Sequence, residues 1–120
     1  MCLFCSIEKP YIYENAHVFA IYDAFPVSKG HVLIITKKHR NDYFAMTEAE
    51  VVSLHEALHA LKSILDTLHA PQGYNIGINN GKASGQTIFH LHVHLIPRYE
   101  GDMKDPRGGV RGVIPALQKY

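Results

Sequence analysis

The sequence predicts an α+β fold, in which a five-stranded antiparallel sheet carries one main helix on one face. Two observations predict it: five short segments are rich in branched and aromatic residues, and one amphipathic segment lies between the third and the fourth of them. The resulting order is βββαββ, and short connections among the first three strands favour antiparallel pairing. Because 120 residues fit one hydrophobic core, we expect a single domain over residues 1–120.

The first three strands are predicted from their composition and from the turns between them. Residues 12–14 and 17–22 form a predicted hairpin around Asn15-Ala16. Turn-forming residues follow at 25–30, and residues 31–35 are a mostly apolar run that is typical of a buried central strand.

The helix is predicted to begin at Thr47, because Thr47 and Glu50 have the spacing of a capping box. Apolar residues then recur at steps of three and four, which indicates one core-facing stripe. The stripe comprises Val51, Leu54, Leu58, Leu61, Leu65 and Leu68.

The remaining elements are bounded by glycine and proline. Residues 70–73 end the helix, residues 74–79 form the fourth strand, and a glycine-rich loop runs to Gly85. Residues 87–96 form the last strand, which Pro97 is expected to end. From about residue 100 we expect an irregular tail.

Composition excludes several classes of function. The chain is 47% hydrophobic and 19% charged, and it has no apolar run near the roughly 18 residues that a membrane span needs. Residues 1–10 lack the features of a secretory signal, so we expect a cytoplasmic protein. The net charge of +1 gives no general attraction to nucleic acid or to acidic membranes, so neither is an expected partner. Nine histidines are the unusual feature, because histidine titrates near neutral pH and binds metals.

Three histidines alternate with apolar residues in the predicted last strand. His90, His92 and His94 should therefore point to one face, and the residues between them into the core. Neighbouring imidazoles, about 6.6 Å apart, can share a metal, whereas the outer pair lies about 13 Å apart. Three alternatives follow: a solvent-facing strand, a metal site, or a division of labour in which one imidazole is a nucleophile and its neighbours orient it or bind charge.

The loop before this strand has the composition of a phosphate-binding turn. Residues 79–87 combine small residues, which leave backbone amides accessible, with the side-chain donors of Asn79, Gln86 and Thr87. An ordinary polar hairpin loop is the alternative.

Two further patterns suggest metal binding. Cys2 and Cys5 have zinc-knuckle spacing, for which His39 and one strand histidine are candidate partners; a redox dithiol or free thiols are the alternatives. His55 and His59 match the HExxH pattern of zinc metalloproteases. We reject a protease, because no third histidine comes at the spacing of the long motif and the pair borders the apolar stripe on its solvated side.

Together these residues resemble the histidine triad family of nucleotide hydrolases and transferases. The family signature of three histidines alternating with apolar residues is matched by residues 90–96. Residues 23–33 are similar to the family's nucleoside-binding hairpin, and residues 85–87 to its phosphate-binding turn. The tail at 106–111 is similar to bacterial-type members described as diadenosine polyphosphate hydrolases.

The resemblance implies a role for each site residue. His92 is the expected nucleophile toward the α-phosphorus of a purine nucleotide, with His94 and Gln86 completing the catalytic group. Asp23 is expected to bind the ribose. The expected substrate-binding set is Asp23, His31, Asn79, Gly85, Gln86, Thr87 and His94, with Leu3, Phe4, Ile7 and Ile21 near the base.

The resemblance also implies a cofactor, an assembly and an activity. A structural zinc is expected on Cys2, Cys5, His39 and His90, and a homodimer is expected to share its sheet. The expected activity is cleavage of nucleoside phosphoramidates or dinucleoside polyphosphates through a nucleotidyl-histidine. A nucleotidyltransferase and a nucleotide-binding regulatory module with vestigial catalysis are the alternatives.

Overall fold

A five-stranded antiparallel sheet with one long helix on one face forms the centre of the molecule, which confirms the predicted fold class. The computed structural model describes residues 2–120. The strand order is β1-β2-β3-β5-β4, so β3 and β5 are interior and β4 is an edge. The elements are β1 Tyr13–Glu14, β2 Val18–Tyr22, β3 Val32–Thr36, α1 Glu48–His69, β4 Gly73–Ile78 and β5 His92–Arg98.

The last strand differs from the prediction at both ends. The predicted start at residue 87 is wrong, because β5 begins at His92 and the amide of Leu91 donates instead to the carbonyl of Arg40, at 2.7 Å. The predicted end before Pro97 is also wrong. Pairing of β5 with β3 stops at Leu95, so Pro97 pairs only with β4 and its missing N–H interrupts no ladder.

The capping box at the helix start is confirmed. The Glu50 amide donates to the Thr47 hydroxyl at 3.1 Å, and the Thr47 amide donates to the Glu50 carboxylate at 2.8 Å. The predicted stripe is correct at Leu54, Leu61 and Leu65 but wrong at Leu68, which is 59% exposed. The next inward position is four residues after Leu65, where the His69 ring packs against the β2–β3 turn.

The two faces of the sheet bury different clusters. Side chains of β2, β3 and β5 that face α1 form the larger core, which includes Leu91, Val93 and Leu95 as predicted. The opposite face carries a smaller cluster of Phe4, Phe19, Leu33 and Ile35, which the N-terminal segment covers. By the pairing register, His92 lies beside Ile35 and His94 beside Leu33 on this second face.

The C-terminal segment contains two short 3-10 helices, Gly109–Val113 and Pro115–Leu117. Across residues 2–120, the helices present are too short or too polar to cross a membrane.

Candidate active site

The three histidines of the alternating motif do not share one environment. His92 and His94 lie on β5, half-buried on the second face of the sheet, whereas His90 precedes the strand and is 0% exposed. Gly77 pairs with His94, and a Cβ there would meet no atom within 4 Å among the described residues. The surface beside His94 is therefore open. The buried His90 side chain, by contrast, belongs to another site.

The backbone sets the tautomer of His92. Its Nδ1 lies 2.9 Å from the carbonyl oxygen of His90. Because a carbonyl only accepts, the neutral ring carries its proton on Nδ1 and keeps a free lone pair on Nε2. This is the arrangement that a nucleophilic imidazole requires.

His94 takes the opposite tautomer. The amide of Val27 donates to His31 Nδ1 at 3.1 Å, so neutral His31 carries its proton on Nε2. That nitrogen lies 2.9 Å from His94 Nδ1, which accepts, and 3.5 Å from Asp23 Oδ2. The His94 proton is therefore on Nε2, where it is available as a donor.

Burial keeps both rings of this pair neutral. Desolvation lowers the pKa of His31, although the Asp23 carboxylate opposes the shift. Desolvation also lowers the pKa of His94, and the neighbouring His31 and His92 lower it further. Two neutral imidazoles linked by one hydrogen bond are consistent with these directions.

Gln86 is placed as a support of the glycine-rich loop. Its side-chain oxygen accepts from the Gly81 amide at 2.8 Å, and its side-chain nitrogen donates to the carbonyls of Asn41 and Ile88 at 2.6 and 3.1 Å. The residue is buried, and its amide hydrogens are used in these bonds. This arrangement therefore favours a structural role for Gln86 over the predicted direct contact with a phosphate.

The other predicted phosphate ligands are more accessible. Gly85 and Thr87 are exposed, and Asn79 is half-buried. Gly85 has a φ of 98°, a conformation that suits glycine and turns the chain. Asn80, which sequence analysis missed, anchors the same loop by accepting from the Tyr43 amide at 2.9 Å.

Asp23 lies at the end of the β2–β3 hairpin, beside His31. One carboxylate oxygen accepts from the Phe25 amide at 2.8 Å, and the other faces His31 at 3.5 Å. The carboxylate is thus held at the edge of the site.

A second cluster gathers Cys2, Cys5, His39 and His90. Their ligand atoms all lie within 4.8 Å of one another. His90 Nδ1 lies 3.3 and 3.4 Å from the two sulfurs, and His39 Nδ1 lies 3.2 Å from the Cys5 sulfur.

The hydrogen bonds of both imidazoles fit a metal. His90 Nε2 donates to the Thr36 carbonyl at 2.7 Å and His39 Nε2 to the Asn41 side chain at 3.2 Å, so each Nδ1 keeps its lone pair. A tetrahedral zinc, with bonds of about 2.3 Å to sulfur and about 2.0 Å to nitrogen, holds such atoms about 3.5 Å apart. The donor set therefore fits zinc. The Thr36 carbonyl was not predicted, because a threonine in a buried strand gives no signal of this role.

The HExxH histidines lie apart from both clusters. His55 and His59 are exposed on α1 with ring centroids 4.5 Å apart. Among residues 2–120 they join no group of three or more potential metal ligands.

Comparison with known proteins identifies the family. A HIT domain model matches residues 6–101. The chain is 41% identical to an uncharacterized HIT-like protein of Methanocaldococcus jannaschii, over 85% of this chain and 82% of that one. It is 35% identical to an adenylylsulfatase of Arabidopsis thaliana, over 84% of this chain and 54% of that one.

A solved structure shows the same fold. A Zn-bound histidine triad family protein from Mycobacterium smegmatis matches with a TM-score of 0.76 and 35% identity, over 87% of this chain and 79% of that chain. The imidazoles of His92 and His94 and the glycine-rich loop all lie within the residues that the HIT domain model matches. The chain belongs to the HIT domain family, as its motifs predict.

Proposed function

We propose that the chain is a nucleotide hydrolase that acts at the α-phosphate through a nucleotidyl-histidine and releases a nucleoside monophosphate. The observation that carries the proposal is the 2.9 Å bond from His92 Nδ1 to the His90 carbonyl, which leaves Nε2 free to attack. Candidate substrates are nucleoside phosphoramidates and dinucleoside polyphosphates. The name of the Arabidopsis relative adds adenylyl sulfate to the substrates to be tried.

In the first step, His92 Nε2 forms a bond to the α-phosphorus as the bond to the leaving group breaks. The ring becomes cationic, and its Nδ1–H then donates a charge-assisted hydrogen bond to the His90 carbonyl. In the second step, water attacks phosphorus and loses a proton to the solvent, the bond between phosphorus and His92 Nε2 breaks, and His92 returns to its neutral form.

His94 stabilises the charge that moves during these steps. Its Nε2–H is free to donate to a phosphate oxygen or to the bridging atom of the leaving group. The bond of 2.9 Å from His31 holds the ring in this tautomer. We propose that Asn79, Thr87 and the backbone of Gly85 bind the phosphate, and that Asp23 accepts from the ribose hydroxyls.

The central test replaces His92 with alanine. Turnover should fall by more than about 10³-fold, while binding of adenosine monophosphate should persist. His55→Ala removes an exposed histidine of α1 and should leave both unchanged. Unchanged hydrolysis in His92→Ala would exclude the proposed nucleophile. If the unaltered protein binds the nucleotide but turns over none of these substrates, it is a binding module instead.

We also propose that Cys2, Cys5, His39 and His90 hold a zinc ion. Such a site, closed by four protein ligands, contributes to folding and has no position for substrate. Metal analysis after gentle purification should find about one zinc per chain, and a Cys5→Ser variant should lose it. A metal-free protein of unchanged stability would contradict this site.

A homodimer that joins two β4 strands is the proposed assembly. β4 is an edge of the sheet, and Ile76 on it is 50% exposed beside an apolar groove that includes Leu58 and Tyr74. Light scattering should give twice the chain mass, and Ile76→Asp should give a monomer. Phe44→Asp, at an exposed site elsewhere, should stay dimeric. A monomeric unaltered protein would refute the assembly.

A further inference from the structure

Phe4 connects the cysteine cluster to the imidazole of His92. It is the middle residue of the 3-10 helix Leu3–Cys5, between the two cysteines, and it is 7% exposed. Its ring meets His92 edge to face, with centroids 4.9 Å apart and planes at 73°. It also meets His90, with centroids at 6.2 Å and planes at 83°.

One hydrogen bond alone does not orient the His92 ring. The bond from Nδ1 to the His90 carbonyl fixes one nitrogen, but the ring plane is still free to turn about that contact. An aromatic ring packed at 73° to the imidazole opposes such a turn, because edge-to-face contact is directional. The two contacts together determine where Nε2 points.

Both contacts come from residues at the cysteine cluster: the carbonyl belongs to His90, a member of the cluster, and the ring belongs to Phe4, which lies between Cys2 and Cys5 in the chain. The His90 side chain lies in the cluster, while its carbonyl holds His92. Phe4 is anchored because Cys2 and Cys5 on either side of it both approach His90, at 3.3 and 3.4 Å. The cluster thus holds the two groups that orient the imidazole.

We propose that Phe4 is a positioning residue that sets the ring orientation of His92. Its effect on turnover rests on the proposed nucleophilic role of His92, but its effect on the ring does not. A residue that only lines the nucleobase pocket would change nucleotide affinity instead. The two roles therefore differ in the kinetic parameter that they change.

The test compares Phe4→Leu with Phe19→Leu. Phe19 belongs to the same apolar cluster, is equally buried and stacks on Tyr11, so its loss gives a matched packing defect. Phe4→Leu should lower kcat by about 10- to 100-fold and leave KM within about twofold. Phe19→Leu should lower stability with little effect on kcat, and Phe4→Tyr, which retains a ring, should restore most of the rate.

NMR relaxation of ring-labelled histidine provides a readout of ring orientation that needs no turnover. In the unaltered protein, the ring carbon–hydrogen bonds of His92 should be as ordered as the backbone, which indicates one ring orientation. In Phe4→Leu this order should fall, at unchanged metal content, while Phe19→Leu keeps the ordered ring. If Phe4→Leu fails to fold, Phe4→Met takes its place, because a flexible methionine side chain fills an irregular gap without supplying a ring.

Two results would overturn the proposal. One is a His92 ring that is as well ordered in Phe4→Leu as in the unaltered protein. The other is a rise in KM with kcat unchanged, which would assign Phe4 to the nucleobase pocket alone. If the unaltered protein hydrolyses no nucleotide, the proposed function fails, and the NMR comparison still decides the role of Phe4.

Discussion

Alanine in place of Gly30 is expected to destabilise the protein at the turn that supports the active site. Gly30 has a φ of 89°, and a Cβ there would lie 2.7 Å from His69 Cδ2 and 3.3 Å from Pro97 Cγ. The left-handed conformation costs a residue with a Cβ about 1–2 kcal/mol, and crowding in a packed site costs about 1–3 kcal/mol. Alanine also reduces the conformational freedom of the unfolded chain, which offsets about 0.4–1 kcal/mol of this cost. The expected net loss in free energy of unfolding is about 1–5 kcal/mol.

Urea unfolding at neutral pH measures this loss as a lower midpoint with an unchanged slope. Gly73→Ala is the control, because a Cβ there meets no described atom within 4 Å; it should cost less than about 1 kcal/mol. Adding His69→Ala to Gly30→Ala removes the close contact and should leave mainly the conformational cost. His31 follows Gly30 directly, so turnover should fall as well. An effect of Gly30→Ala no larger than that of Gly73→Ala would refute the reasoning.

Two further variants test the supports of the site. Burial raises the pKa of Glu50, but hydrogen bonds from Thr47 and Arg40 outweigh it and hold the pKa below its ordinary 4.5. Glu50→Gln should therefore cost about 1–3 kcal/mol at neutral pH. A carboxyl with a lowered pKa contributes its full stabilisation above pH 4.5 and loses it as the pH falls through its pKa in the folded state. The stability difference between Glu50→Gln and the unaltered protein should therefore shrink in acid. Urea unfolding against pH checks this, and a constant difference would contradict it. Gln86→Ala removes three hydrogen bonds, so it should cost about 1–3 kcal/mol and raise KM by loosening the loop. Unfolding and kinetics check this, and a change in kcat alone would instead favour the direct catalytic role.

Local features were predictable where neighbours in the chain determine them. The capping box at Thr47 needs only residues three apart, and strand alternation determines that Leu91, Val93 and Leu95 are buried. The family was predictable for the same reason, because its signature lies in consecutive residues.

Long-range contacts were not predictable in this way. The alternating pattern grouped His90 with His92 and His94, but the fold buries His90 under the Thr36 carbonyl, 54 residues away. Composition indicated Gln86 as a phosphate ligand, but its side chain donates to the Asn41 carbonyl, 45 residues away. A residue type specifies which hydrogen bonds are possible, not which partner is within reach.

The histidine motif shows the division most clearly. By itself the sequence determined that imidazoles would line one stretch of chain beside a glycine-rich loop, because residue order sets alternation and turns. Only the tertiary structure decided the tautomer of His94, because His31, 63 residues away, holds the proton away from its Nδ1, whereas the carbonyl that holds the proton on His92 Nδ1 is two residues away in the chain. Chemically identical side chains acquire opposite roles because an imidazole's proton follows its hydrogen-bond partner, and packing selects that partner.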